Sequence, residues 1–151
     1  MVTTPLSLKG RALRLLSARE HSRVELERKL AQYEDEPGAL AKALDDLQAK
    51  GFINEQRVVE SVLNRRSAKL GTARIRQELQ GKGLAPEAVL DAVAQLRATE
   101  VERAREVWRR KFGEPPRDAA ERGKQMRFLA SRGFGGDTIH KVVSGCFDDE
   151  E

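Results

Sequence analysis

The sequence predicts an all-α chain of tandem three-helix repeats in an elongated, curved arrangement. Three observations carry the prediction. Helix start and stop signals recur at short intervals through the 151 residues. No run alternates with period two alongside β-branched residues for long enough to form a strand. One stretch of the chain can be laid over another without a gap.

The elements follow in order. Ser22 with Glu25 forms a capping box ahead of "RVELERKLAQY", whose Val24, Leu26, Leu30 and Tyr33 fall on one side. Pro37 suits the first turn of the next helix, where Leu40, Leu44 and Leu47 repeat at spacings of four and three. Lys50-Gly51 ends it. Pro86 opens a helix bearing Val89, Leu90, Val93 and Leu96. Helices this short are marginal alone and must pack sideways.

The internal match sets "RQELQGKGLAPEAVLDAV" (Arg76 to Val93) over "MRFLASRGFGGDTIHKVV" (Met126 to Val143). Leu79 meets Leu129, Val89 meets Ile139 and Val93 meets Val143. Lys82-Gly83-Leu84 meets Arg132-Gly133-Phe134. Each glycine supplies a positive φ that reverses the chain, and the apolar residue after it packs back on the helix just ended. More loosely, "ELERKL" (Glu25 to Leu30) matches "RIRQEL" (Arg74 to Leu79), followed by the longer turn "EDEPG". The expected units are residues 7–51, 52–98 and 99–145, followed by an acidic tail at 146–151. Each unit is too small to bury a sufficient core alone, so neighbours share interfaces.

With 39% hydrophobic and 34% charged residues, wholesale disorder is excluded. A net charge of +4 and a pI near 9.5 favour an anionic partner. The single cysteine, Cys146, rules out an intrachain disulfide and fits a reducing compartment. No run approaches the ~20 apolar residues of a membrane span, and "MVTTPLSLKG" lacks the apolar core of a signal peptide. The expectation is a cytoplasmic protein with no membrane association. No dedicated dimer seam is visible, so a monomer is expected. The tail, Asp148 to Glu151, is expected to stay solvated.

Catalytic material is scarce. His21 and His140 lie in different units and read as surface or interfacial residues. Metal-ligand spacing is absent, Cys146 has no evident base, and Gly135-Gly136 lacks the pattern of a phosphate loop. No enzyme, cofactor or metal is expected.

The informative feature is positive charge. Arg65, Arg66, Lys69, Arg74 and Arg76 precede the first acid, Glu78, and Ser61 to Gln77 holds no acid at all. Arg65 and Lys69 are spaced to share a helix face. Arg74 stands four before Glu78, so part of its charge is expected to be spent locally. Arg66 follows Val62 by four and is expected to lay its stem along the core. A second focus is "WRRKF", where Val101, Ala104, Trp108 and Phe112 form a helical stripe. That stripe makes the aromatics core residues rather than base-stacking platforms, with Arg109, Arg110 and Lys111 opposite. Lys82, Lys124, Arg127 and Arg132 complete a basic strip along the second and third units. An extended helical body with such a strip suits a long anionic groove or filament.

Four segments carry a family resemblance: "ARE-S--EL--KL" (Ala18 to Leu30), "KGFINEQR" (Lys50 to Arg57), "LGTARIRQEL--KGL" (Leu70 to Leu84) and "K--RFL--RGF---I" (Lys124 to Ile139). In this order and spacing they resemble the RecX family, regulators of the bacterial recombinase RecA. The resemblance spans about residues 10 to 145. Val58 and Val59 depart from it, standing where the family commonly has an aromatic and a small residue. It implies tandem three-helix repeats and action without catalysis. Such proteins bind the groove of the RecA nucleoprotein filament, block its growth or promote its disassembly, and lower strand exchange, ATP hydrolysis and coprotease activity. By position, the two basic clusters match those of the family's second and third repeats. The competing expectation is a direct DNA binder of tandem helix-turn-helix type. Its cations are not gathered at one helix's first turn, so DNA affinity is expected to be phosphate-driven, weak and salt-sensitive.

Overall fold

The computed structural model describes residues 6–145; Cys146 and the acidic tail at 146–151 lie outside the described residues. Among these, nine α-helices and one 3₁₀ turn are present and no strand. The first three helices are α1 (Leu8–Ala18), α2 (Arg23–Leu30) and α3 (Ala39–Ala49). They are followed by α4 (Glu55–Arg66), α5 (Thr72–Gly81) and α6 (Pro86–Ala98). The last three are α7 (Glu100–Lys111), α8 (Ala119–Ser131) and α9 (Gly136–Val143). Each successive trio encloses its own apolar cluster. The first holds Leu26, Leu30, Leu44 and Leu47, the second Val62, Ile75, Leu79 and Leu96, the third Trp108, Leu129, Ile139 and Val142.

Local signals set most boundaries. Ser22 and Glu25 close a reciprocal capping box on α2, which satisfies two N–H groups that the helix cannot. Pro86 is at the start of α6. Pro37, by contrast, lies in the turn before α3. That helix begins two residues later, where Gly38 takes a φ of 87° and the Glu34 carboxylate accepts from the Leu40 N–H at 2.8 Å. Tyr33 leaves the apolar side of α2 because the chain tightens into the 3₁₀ turn Ala31–Tyr33, and its ring is 40% exposed. Of the apolar residues that α6 carries, Leu90 is 68% exposed; the buried stripe of α6 runs through Val89, Ala92, Val93 and Leu96.

The repeated glycine turns do more than reverse the chain. Gly83 (φ 69°) and Gly133 (φ 93°) occupy the same position after α5 and α8. Each turn meets the first turn of the preceding unit's second helix. At the first joint the Ser22 hydroxyl donates to the Lys82 carbonyl at 2.6 Å, and Val24 packs on Gly83, which places Val24 between units rather than in the first core. At the second, the Gly71 N–H donates to the Arg132 carbonyl at 2.7 Å, and the Ala73 N–H to that of Gly133 at 3.3 Å. So α8, α5 and α2 meet end to end, the negative C-terminal end of each helix dipole facing the positive N-terminus of the next. The units therefore stand in a row, and the molecule is elongated.

Candidate functional site

The cations expected to form one strip divide among several environments. Arg65 and Arg66, at the end of α4, both turn to Glu78 of α5, at 3.4 and 3.1 Å. Spacing pointed to Arg74 as the partner of Glu78; Arg74 instead crosses the second joint and donates to the Ser131 carbonyl at 2.8 Å. The reason is packing: the end of α4 lies beside α5, so two guanidiniums reach the carboxylate from a neighbouring helix. Lys69 does not share a helix face with Arg65, because α4 ends at Arg66. Lys82 is not open surface at all. Its ammonium pairs with Glu25 at 3.1 Å, each side chain only 12% exposed.

Four of the twelve do come together. Lys69, Arg110, Lys111 and Arg132 line a groove of about 250 Å³ whose floor is Val107 and Phe128. The Lys111 ammonium and the Arg132 guanidinium stand 5.4 and 4.9 Å from the Phe128 ring centroid, distances at which the negative face of the ring attracts a cation. Phe112 packs edge-on to the same ring, centroids 5.5 Å apart. Arg109 and Arg110 share Glu106 at 3.8 and 3.4 Å, exposed pairs that hold the side chains only weakly. Arg76 lies elsewhere, with Arg97, beside Leu84 and Leu90. Lys124 borders a separate hollow with Glu114 and Arg117, and Arg127 folds back towards Gly123.

Trp108 is core, as its spacing indicated. It is 5% exposed, and its indole N–H donates to Gln125 Oε1 at 2.9 Å. Gln125 in turn donates to the Glu114 carbonyl at 3.0 Å.

Sequence reasoning missed three features. A groove of about 350 Å³ in the first unit gathers Arg11, Arg14, Arg28 and Lys29 around Tyr33; interleaved Glu25 and Glu27 hid it in the linear charge pattern. Arg103 sits under the second joint. It donates to the carbonyls of Ser67, Leu70 and Leu96 at 3.0, 2.6 and 2.9 Å. Burial pushes its guanidinium below the ordinary value, opposed by Glu100. Glu100 itself spans the joint, accepting from the Thr72 N–H at 3.0 Å and the Thr138 hydroxyl at 2.8 Å.

Two titratable groups mark the first joint. Burial alone would raise the Glu25 carboxyl; the Arg19 guanidinium, the Ser22 N–H and the Lys82 ammonium outweigh it and hold the carboxyl at about 2. His21 is buried, which pushes its imidazole below the usual value, and Arg19 and Lys29 act in the same direction. Nδ1 lies 3.0 Å from the Arg19 carbonyl and Nε2 lies 3.1 Å from the Lys29 ammonium, a pattern that suits a neutral ring donating through Nδ1. Of the two settings expected for the histidines, surface or interfacial, His21 is not on the surface but buried next to the Ser22 cap at the first joint, whereas His140 is exposed.

Among the described residues, no group of three or more His, Cys, Asp or Glu side chains is placed to hold a metal. No helix there is long and apolar enough to cross a membrane. What the arrangement offers is charged and aromatic recognition surface.

The family models for the first, second and third three-helix domains of RecX match residues 9–47, 54–93 and 98–143. The regulatory protein RecX of Leptothrix cholodnii is 56% identical over 138 residues, covering 91% of this chain and 88% of that protein. That of Herminiimonas arsenicoxydans is 47% identical over 151 residues and covers 100% of both. The crystal structure of RecX from Lactobacillus salivarius superposes with a TM-score of 0.75 at 20% identity, covering 91% of this chain and 93% of that one, which bears on the fold.

Proposed function

The chain belongs to the RecX family of regulatory proteins, and from that premise we propose that it regulates the RecA recombinase, chiefly as an inhibitor. It lodges along the groove of the RecA–DNA filament, blocks extension or promotes disassembly, and so lowers strand exchange, ATP hydrolysis and coprotease activity. It makes and breaks no bond itself. The observation that supports this reading is the row of three units with Lys69, Arg110, Lys111 and Arg132 gathered at the second joint. A body three helices long meets a repeating polymer along several subunits. A cationic groove at a joint faces the negative charge that both RecA and its DNA present.

The remaining cations of the expected strip fit this reading unequally. Arg65, Arg66, Arg74 and Lys82 have partners within the chain, so they contribute field rather than direct contact. Arg76, Arg109, Lys124 and Arg127 are exposed and remain available to a partner that wraps more than one face.

The test adds the purified protein to RecA on single-stranded DNA with ATP and follows filament length and ATP turnover. Shortened filaments and falling turnover are expected at concentrations comparable to growing ends. Unchanged length and turnover at several-fold excess over those ends overturn the reading. Tight, sequence-selective binding to duplex DNA alone at about 0.2 M salt would favour direct DNA recognition by tandem helix-turn-helix units in its place.

A further inference from the structure

The second helices of the three units align at Leu30, Leu79 and Leu129, all buried. One residue before each stand Lys29, Glu78 and Phe128. In every unit this position borders the cleft between the first and second helices. In the second unit Glu78 draws Arg65 and Arg66 across the cleft and offsets one of their two charges. In the third unit the cleft is the Phe128 groove, which no carboxylate lines. In the first unit it is the groove between α1 and α2, lined by Arg11, Arg14, Arg28 and Lys29, again with no carboxylate among its lining residues.

The first-unit groove has a second property. Leu6 and Tyr33, two of the large apolar side chains exposed at about 40%, both border it. The Arg11 guanidinium lies 3.7 Å from the Tyr33 ring centroid. A guanidinium stacked on an aromatic ring, with further cations at the rim, is the combination that takes a nucleobase on a π-surface and its phosphates on charge. At about 350 Å³ the groove is at the small end of ligand sites, of nucleotide rather than domain scale.

We propose that this groove of the first unit is a binding site for single-stranded nucleic acid, in which Tyr33 and Arg11 stack a base, Arg14 holds a flanking phosphate, and Arg28 and Lys29, already bonded to the Gly81 carbonyl and to His21 Nε2, add positive field. This goes beyond the RecA reading and does not depend on it. The third-unit groove occupies the equivalent cleft of its own unit, whereas in the middle cleft Glu78 ties up both arginines.

The experiment uses the full chain without RecA and a fluorescein-labelled oligothymidylate, with anisotropy followed as sodium chloride is raised. Arg11→Ala with Arg14→Ala weakens binding about tenfold at low salt and lowers the slope of log affinity against log salt by about 0.7, the share of the one phosphate contact removed. Arg14→Gln, at an exposed position, lowers the slope by about 0.7 and leaves packing alone. Tyr33→Ala weakens binding at least about fivefold with the slope unchanged, because stacking releases no counterions. Circular dichroism confirms folding of each variant. Unchanged affinity and slope in Arg14→Gln and Tyr33→Ala overturn the proposal. So does a polyglutamate peptide that loses affinity in these variants while the oligothymidylate does not, since the groove would then take an acidic polypeptide.

Discussion

Lys82 and Glu25 meet across the first joint with Nζ 3.1 Å from Oε1, each side chain 12% exposed. The pair ties the end of α5 to the capping box of α2, since the same carboxylate accepts from the Ser22 N–H at 3.0 Å. Lys82→Met keeps the stem and removes the charge. It is expected to cost about 2 kcal/mol of unfolding free energy, less than a fully buried pair, because Arg19 still holds Glu25 at 2.7 Å. Urea denaturation checks this; a loss under about 0.5 kcal/mol returns Lys82 to the free surface.

Acid should open the same joint in two stages. His21 has a depressed value, so its stabilising contribution is complete above its unfolded value near 6.5 and falls away as the pH drops below it. Lys29, Arg19 and Glu25 face the ring, and a second proton on it puts two cations at Nε2. Glu25, held at about 2, contributes stability present above about 4.3 and lost as the pH falls towards 2, on the order of 2 kcal/mol. Thermal melts from pH 8 to pH 3 are expected to fall first below 6.5 and again below 4.3. In His21→Asn the first fall should vanish and the second remain.

At the second joint the decisive contact is glycine on glycine. A Cβ on Gly71 would overlap the backbone carbonyl of Gly133, although the φ of Gly71, −79°, suits any residue. Gly71→Ala is therefore a steric change alone and is expected to cost more than about 2 kcal/mol. Gly81→Ala, within α5 and with nothing near the new methyl, is expected to stabilise by about 0.5–1 kcal/mol. Differential scanning calorimetry separates the two, and limited proteolysis should show the third unit released in the first.

For action on RecA, the groove at the second joint and the end of α4 give opposite expectations. Lys69, Lys111 and Arg132 changed together to Ala should weaken inhibition at least tenfold. Arg65 and Arg66 changed to Ala should weaken it less, because Glu78 already occupies both. Surface truncations of this kind move stability by about 0.5 kcal/mol or less, so loss of inhibition with intact helical signal is readable. The reverse order would place the contact surface at α4.

Local chemistry was legible and long-range chemistry was not. The capping box of Ser22 and Glu25 is written in four consecutive residues, and the turn around Gly83 and Gly133 in three, because a helix end is satisfied by its nearest neighbours. The tie from Glu25 to Lys82 joins residues 57 apart, and nothing in either neighbourhood announces it. Glu78 shows the limit from the other side. Its spacing from Arg74 favoured a pair within one helix, but two guanidiniums on an adjacent helix lie closer. In α6 the apolar spacing gave a face and not its edges: Leu90 stands exposed, and small Ala92, which a list of large residues passes over, fills a core position. The Tyr33 groove was hidden because its cations arrive from two helices with acids between them in the chain.

Only Thr99 separates α6 from α7, and beneath it Arg103 binds carbonyls at the C-terminal ends of α4 and α6 at once. The second joint adds direct main-chain bonds, whereas the first relies mainly on side chains. Loss of side-chain ties should thus slacken the first joint well before the second, which keeps its main-chain bonds. Along a curved track the protein would behave as a stiff two-thirds lever with a swinging leading third, able to seat its far end first and settle its near end afterwards.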